Sequence, residues 1–278
     1  MGQSTSGGLL DLQRLEAQWQ FRAFGLQQTG DEIARLVTQC ARTKRISEWD
    51  AGFPRVLQTF ENEYKAIAGN DPLLFDSQRD LIGAATARNL TVAKATYSSI
   101  TPSLFRDLPF EYIESQLIVT YGNMQRAFLD LMSSNQNLEV IQLQLNDMRQ
   151  LLLSYCYLSL SEGLFEEALN FNYSLCFILN PTNDGARETG IREKVARINS
   201  TGFARLLRGY DPTIRNGTAH GHLSISSGNF TYNDRSFSVS RNYGQLYDDY
   251  MEMKKIAHLW QLHIFSHTLQ TFAAKDLH

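Results

Sequence analysis

At 278 residues the chain has room for one large domain or two modest ones. Its composition, 43% hydrophobic and 20% charged, is ordinary for a soluble protein and sufficient for a real core. A net charge of −3 excludes an overall polycation, so a nucleic-acid role has to rest on a local basic patch.

Three cysteines (Cys40, Cys156, Cys176) lie in apolar surroundings. That usage suits reduced thiols in a cytoplasm and argues against a disulfide framework or a metal knuckle. No apolar run approaches a membrane span and no signal-peptide core opens the chain, so no membrane partner is expected. The Asn-x-Ser/Thr sequons at Asn89, Asn172, Asn199, Asn216 and Asn229 are therefore read as chance. The start, Met1-Gly2-Gln3-Ser4-Thr5-Ser6, fits an N-myristoylation pattern. One acyl chain anchors only marginally and no basic cluster follows, so this stretch reads as a disordered start.

Helical spacing then dominates. Residues 9–28 and 31–44 place apolar groups at helical intervals, with Gly30 and Asp31 as a break. A helix over 53–68 has Pro54 near its start and is closed by Gly69-Asn70-Asp71-Pro72. Residues 76–97 are helical in propensity and rich in Ala and Thr. Pro102 and Pro109 bracket a loop, Phe110–Met132 forms a strong helix, and Ser133-Ser134-Asn135 is a hinge. This predicts an N-terminal helical domain over 1–135, sensory or regulatory, and a second domain over 136–278.

Over 137–160 a core-facing stripe is expected from Ile141, Leu145, Met148, Leu152 and Tyr155. The nearly all-apolar residues 164–179 should sit centrally. Gly163–Leu169 with Asn180-Pro181 resembles half of a tetratricopeptide repeat, but no 34-residue period persists, so we read a plain αα-hairpin. From Arg187 to Arg215 there are seven basic residues against three acidic ones, a local +4 leading into the segment that follows. Glu188–Arg192 is an i,i+4 pair within it. Lys194, Arg197, Arg205 and Arg208 stand where an RNA backbone would need charge.

Residues 209–222, GYDPTIRNGTAHGH, read as a short helix with written punctuation. Asp211 caps it, Pro212 suits the first position, and Gly221 closes it in the left-handed conformation. Arg215 and His220, five residues apart, lie about 140° around the helix and flank one groove. The period then switches to two. Leu223/Ile225, Phe230/Tyr232 and Phe237/Val239 alternate with polar residues, with turns at 227–229 and 233–234, giving a hairpin or three-strand ribbon. Over 244–272, Leu246, Tyr250, Met253, Ala257, Trp260 and Ile264 form a seam for bundle packing or a dimer partner. His263 and His267 have ligand spacing without a carboxylate to match, so neither metal nor cofactor is expected. The fold class is mainly α, a helical bundle with a small β-hairpin or ribbon after the motif helix.

The run Arg215-Asn216-x-x-Ala219-His220-Gly221 resembles the signature of the HEPN superfamily (higher-eukaryote and prokaryote nucleotide-binding domains), an Arg followed four to six residues later by His. The resemblance spans roughly residues 136–278. It implies a metal-independent RNA endonuclease, often a toxin or antiviral-defence effector. It also implies a homodimer whose two-fold axis forms a composite cleft, with an antitoxin or other regulatory partner. The chemistry is coherent with these residue types. RNA brings its own nucleophile, the 2′-hydroxyl, and needs a base and an acid. Imidazole serves either role near neutrality, and a guanidinium forks onto the phosphate oxygens as charge builds. The expected catalytic residues are Arg215, Asn216 and His220. Lys194, Arg197, Arg205, Arg208 and His222 are expected to bind RNA. The competing reading is a non-catalytic helical adaptor of the same fold, binding a protein or nucleotide.

Overall fold

The computed structural model describes residues 26–43, 46–100, 119, 122, 123, 126, 138–181, 190–226 and 228–275. Of the helix expected over 9–28 only 26–28 fall among those residues, and of the one expected over 110–132 only 119, 122, 123 and 126, all helical; the Pro102–Pro109 loop, Gly2 and the hinge at 133–135 lie outside them. The architecture is mainly helical with one small antiparallel sheet near the C-terminus. No helix among the described residues is long and apolar enough to cross a membrane. Two compact units form, residues 1–109 with 258–278, and residues 110–257.

In the first unit lie α1 (Gln27–Thr43), α2 (Ile46–Ala68), α3 (Pro72–Arg88) and α4 (Leu90–Ile100). The break expected at Gly30-Asp31 is absent, and α1 runs through both residues. Its first turn is anchored from outside: the Glu63 carboxylate accepts from the Gln28 and Thr29 amides at 2.9 and 2.8 Å and from the Thr29 hydroxyl at 2.6 Å. Four free N–H groups at a helix start need such acceptors. The helix expected over 53–68 begins at Ile46 instead and carries Pro54 inside. An interior proline costs about 3 kcal/mol. Buried Phe53, Val56 and Phe60 offset that, since each burial contributes about 1.5–3 kcal/mol. A Cβ on Gly52 would collide with the Leu36 side chain, so α1 and α2 approach closely there. The stretch read as one helix over 76–97 is two. Asn89 ends α3 with an extended backbone, and its side chain accepts from the Val92 amide at 3.2 Å to start α4.

The second unit holds α5 (Leu138–Glu162), α6 (Leu164–Leu179), α7 (Ile191–Ser200), a 3₁₀ turn (Ala204–Leu207), α8 (Pro212–Ala219) and strands β1 (Leu223–Ser226), β2 (Asn229–Asp234) and β3 (Phe237–Asn242). The strands pair in the order β1-β2-β3, with Leu223 opposite Tyr232 and Tyr232 opposite Val239. Phe230 and Tyr232 on the central strand are fully buried. α6 is central as expected, burying Phe165, Leu169, Phe171 and Leu175.

Of the stripe expected on α5, the Ile141 and Leu145 side chains lie outside the described ones, and the remainder is rotated off the core. Tyr155 is 46% exposed, and the buried face is Gln150, Leu153, Ser154, Tyr157 and Leu160. Polarity misled the reading, because two of those positions are satisfied inside the fold. Gln150 Nε2 donates to the Arg241 carbonyl at 2.6 Å, and the Ser154 hydroxyl lies 2.6 Å from the Tyr232 hydroxyl. The last helix, α9 (Tyr243–Lys275), begins in this unit and ends in the first. Every member of its expected seam, from Leu246 to Ile264, is buried within the chain, which leaves none of it exposed for a dimer partner.

Candidate functional site

The motif helix α8 is fixed at both ends by its own sequence. Asp211 accepts from the Thr213 amide at 2.7 Å and Pro212 takes the first position. The buried Tyr157 hydroxyl donates to the Gly209 carbonyl at 2.8 Å and accepts from the Asp211 amide at 2.7 Å. Burial pushes that phenol well above its ordinary value, so it stays a neutral donor. Gly209 has φ of +75°, and a Cβ there would collide with the Asp249 carbonyl. At the far end Gly221 has φ of +66°. The His222 amide donates to the Gly217 carbonyl at 2.8 Å and the Gly221 amide to the Thr218 carbonyl at 3.2 Å, the paired bonds that close a left-handed helix end. Mid-helix, Gly217 lets α8 lie directly on β2: an added Cβ would sit 2.9 Å from the Tyr232 Cβ and 3.1 Å from the Asn233 nitrogen.

Along the flank of this helix runs one continuous polar chain. Arg192 donates to Asp234 Oδ2 at 2.5 Å. The same oxygen accepts from Asn216 Nδ2 at 2.8 Å. Asn216 Oδ1 in turn accepts from Arg215 Nη1 at 2.7 Å, and Arg215 Nη2 pairs with Glu162 at 3.0 Å. The Asn216 hydrogen bond, then Arg192, hold the Asp234 carboxyl below the usual carboxylate range. The Arg215 side chain is 23% exposed, and its buried Nε finds no partner among the described residues. The Asn216 amide therefore bridges Arg215 and Asp234, accepting from the one and donating to the other. Arg192 pairs with Asp234, and Glu188, the partner expected from spacing, lies outside the described residues.

His220 is the residue just past the last turn of α8, and it is exposed. His222 is exposed beside it, with ring centroids 5.9 Å apart and planes at 41°. The remaining residues expected to bind RNA serve the fold as well. Lys194 Nζ donates to Asn170 at 2.7 Å and Arg197 to the Asn180 carbonyl at 2.6 Å, tying α7 to α6. Arg197 thereby also places a cation against the negative end of the α6 dipole. Arg208 lies 3.5 Å from Glu252, and Arg205 is half-buried on the 3₁₀ turn. Asp234, Glu162 and Arg192 are the members that sequence reasoning missed. Asp234 reads as a turn residue, and only the β2–β3 register carries it back onto α8. No group of three or more metal-ligating side chains occurs among the described residues. Of the two histidines weighed as ligands, His263 is enclosed by Tyr64 at 2.9 Å and by the Phe75 ring, and the His267 side chain lies outside the described ones. No protein-family model, curated protein or solved structure matches this chain.

Proposed function

We propose that this chain is a metal-independent RNA endonuclease of the HEPN type, a toxin or antiviral-defence effector. One observation carries the reading: a short helix locked at both ends presents an exposed imidazole at its exit and holds a guanidinium on its flank by two oriented contacts. In this reading Arg215 stabilises the charge that builds on the non-bridging phosphate oxygens, and His220 moves a proton. Asn216 is a positioning residue that keeps the guanidinium in register with α8. Glu162 is 42% exposed. A pair that open to water holds by only about 0–1 kcal/mol, so an incoming phosphate can displace it. Two copies facing across a two-fold would bring both guanidinium groups to one ribose-phosphate, as the resemblance implies. The products are 2′,3′-cyclic phosphate and 5′-hydroxyl ends.

The adaptor reading has its own support. Lys194, Arg197 and Arg215 are all engaged within the chain, which leaves less free positive charge than the sequence suggests. The experiment that separates the two is incubation of the purified protein with RNA in excess EDTA. The nuclease reading expects cleavage that His220→Ala abolishes while the helical circular-dichroism spectrum is unchanged. Intact RNA with the wild-type protein supports the adaptor.

A further inference from the structure

Cleavage by 2′-hydroxyl attack requires two proton transfers on opposite sides of the phosphorus. The proton leaves the 2′-oxygen as the new O–P bond forms, and a proton reaches the 5′-oxygen as the old P–O bond breaks. No water is consumed and no metal is needed. A lone imidazole cannot hold both positions at once. We infer that His222 supplies the second proton-transfer group, so that each chain carries a complete His220/His222 acid–base pair. This inference rests on the nuclease reading above and adds a catalytic residue to it.

Three observations carry it. The rings are both exposed, with centroids 5.9 Å apart, and neither imidazole has a hydrogen-bonding partner among the described residues. That spacing keeps the two rings side by side without stacking, so both can address one ribose-phosphate. Next, the spacing is set by backbone. Gly221 at φ +66° turns the chain, and the His222 amide is bound to the Gly217 carbonyl. The His222 carbonyl also accepts from the Asn233 amide at 2.9 Å, which extends the β1–β2 ladder by one residue. His222 is thus held by the sheet while His220 is held by the helix. Finally, the strand period places His222 on the face shared by Ser224, Ser226, Thr231 and Asn233, opposite buried Phe230 and Tyr232. That face carries hydroxyls and amides and no carboxylate, so a phosphate beside His222 meets no like charge from it.

The test uses the full chain in EDTA with two substrates, an RNA oligonucleotide and a uridine 3′-(4-nitrophenyl) phosphate whose leaving group needs no protonation. Rates against pH are measured for the wild type, His220→Ala, His222→Ala and His222→Gln. The expected wild-type profile is a bell. The two alanine variants each slow RNA cleavage by about 10²–10⁴-fold and lose opposite limbs of that bell. The nitrophenyl substrate restores the rate of whichever variant lacks the acid and not of the other. His222→Gln, which keeps size and polarity, should behave as His222→Ala does. The inference is overturned if His222 variants keep the wild-type profile, or if they slow both substrates equally with both limbs intact, as damage to the fold would. If the wild type cleaves neither substrate, the nuclease reading itself falls and takes this inference with it.

Discussion

Two glycines bound the motif segment, and replacing each by alanine separates backbone strain from close approach. Both sit in the left-handed region, Gly209 at φ +75° and Gly221 at φ +66°. A non-glycine residue there costs roughly 1–2 kcal/mol. At Gly221 the added Cβ meets nothing within 4 Å, so Gly221→Ala should cost that strain alone. At Gly209 the Cβ falls onto the Asp249 carbonyl of α9, which is backbone and cannot swing aside. Overpacking of that kind adds about 1–3 kcal/mol. Gly209→Ala is therefore expected to destabilise by roughly 2–5 kcal/mol in all. Urea denaturation followed by circular dichroism reads both variants. Equal losses, or a Gly209→Ala loss smaller than that of Gly221→Ala, would show that α9 does not brace the start of the motif helix.

Further expectations concern the charges around that helix and the enclosed histidine. Asp234→Asn removes the carboxylate between Arg192 and Asn216 and should cost about 1–2 kcal/mol at neutral pH, discounted for the partial exposure of Arg192. Because the carboxyl is lowered in the fold, its contribution is present above the ordinary aspartate range and fades as pH falls through the lowered value. The wild-type advantage over Asp234→Asn should therefore vanish in acid, and denaturation midpoints compared across pH would show otherwise. Glu162→Gln frees Arg215 of its competing anion and should tighten binding of a labelled RNA by about two- to fivefold, read by fluorescence anisotropy. Unchanged or weaker binding would remove Arg215 from the phosphate site. Burial, with the Arg79 charge second, lowers the His263 imidazole to about 4. The unfolded chain takes a proton near 6.5 and the folded one does not, so stability should fall by about 3 kcal/mol between pH 6.5 and pH 4 and then level off. His263→Phe should flatten that slope, as paired urea titrations would reveal.

Much of the fold was legible because local chemistry agrees with it. The Asp211 cap, the proline that follows it and the period-two alternation of the strands all sit where the sequence puts them. Misreadings arose where long-range partners overrule local rules. Glu63 supplies the start of α1 from 34 residues away, so Gly30 does not end a helix. Gln150 and Ser154 are buried because a carbonyl and a phenol meet them, and hydropathy rotated the α5 stripe accordingly. At the candidate site, Arg215, Asn216 and His220 announce themselves by spacing. Their partners Asp234 and Glu162 come from another hairpin and another helix, and no local pattern in sequence points to either.

The most direct test of the central claim is the chemistry of the cut ends. Full-length protein is incubated with a defined RNA in excess EDTA, and the products are weighed by mass spectrometry beside those of His220→Ala. The account predicts 2′,3′-cyclic phosphate and 5′-hydroxyl termini with the wild type and intact RNA with the variant. Intact RNA with both proteins, or 5′-phosphate ends that appear only when a divalent metal is restored, would contradict it.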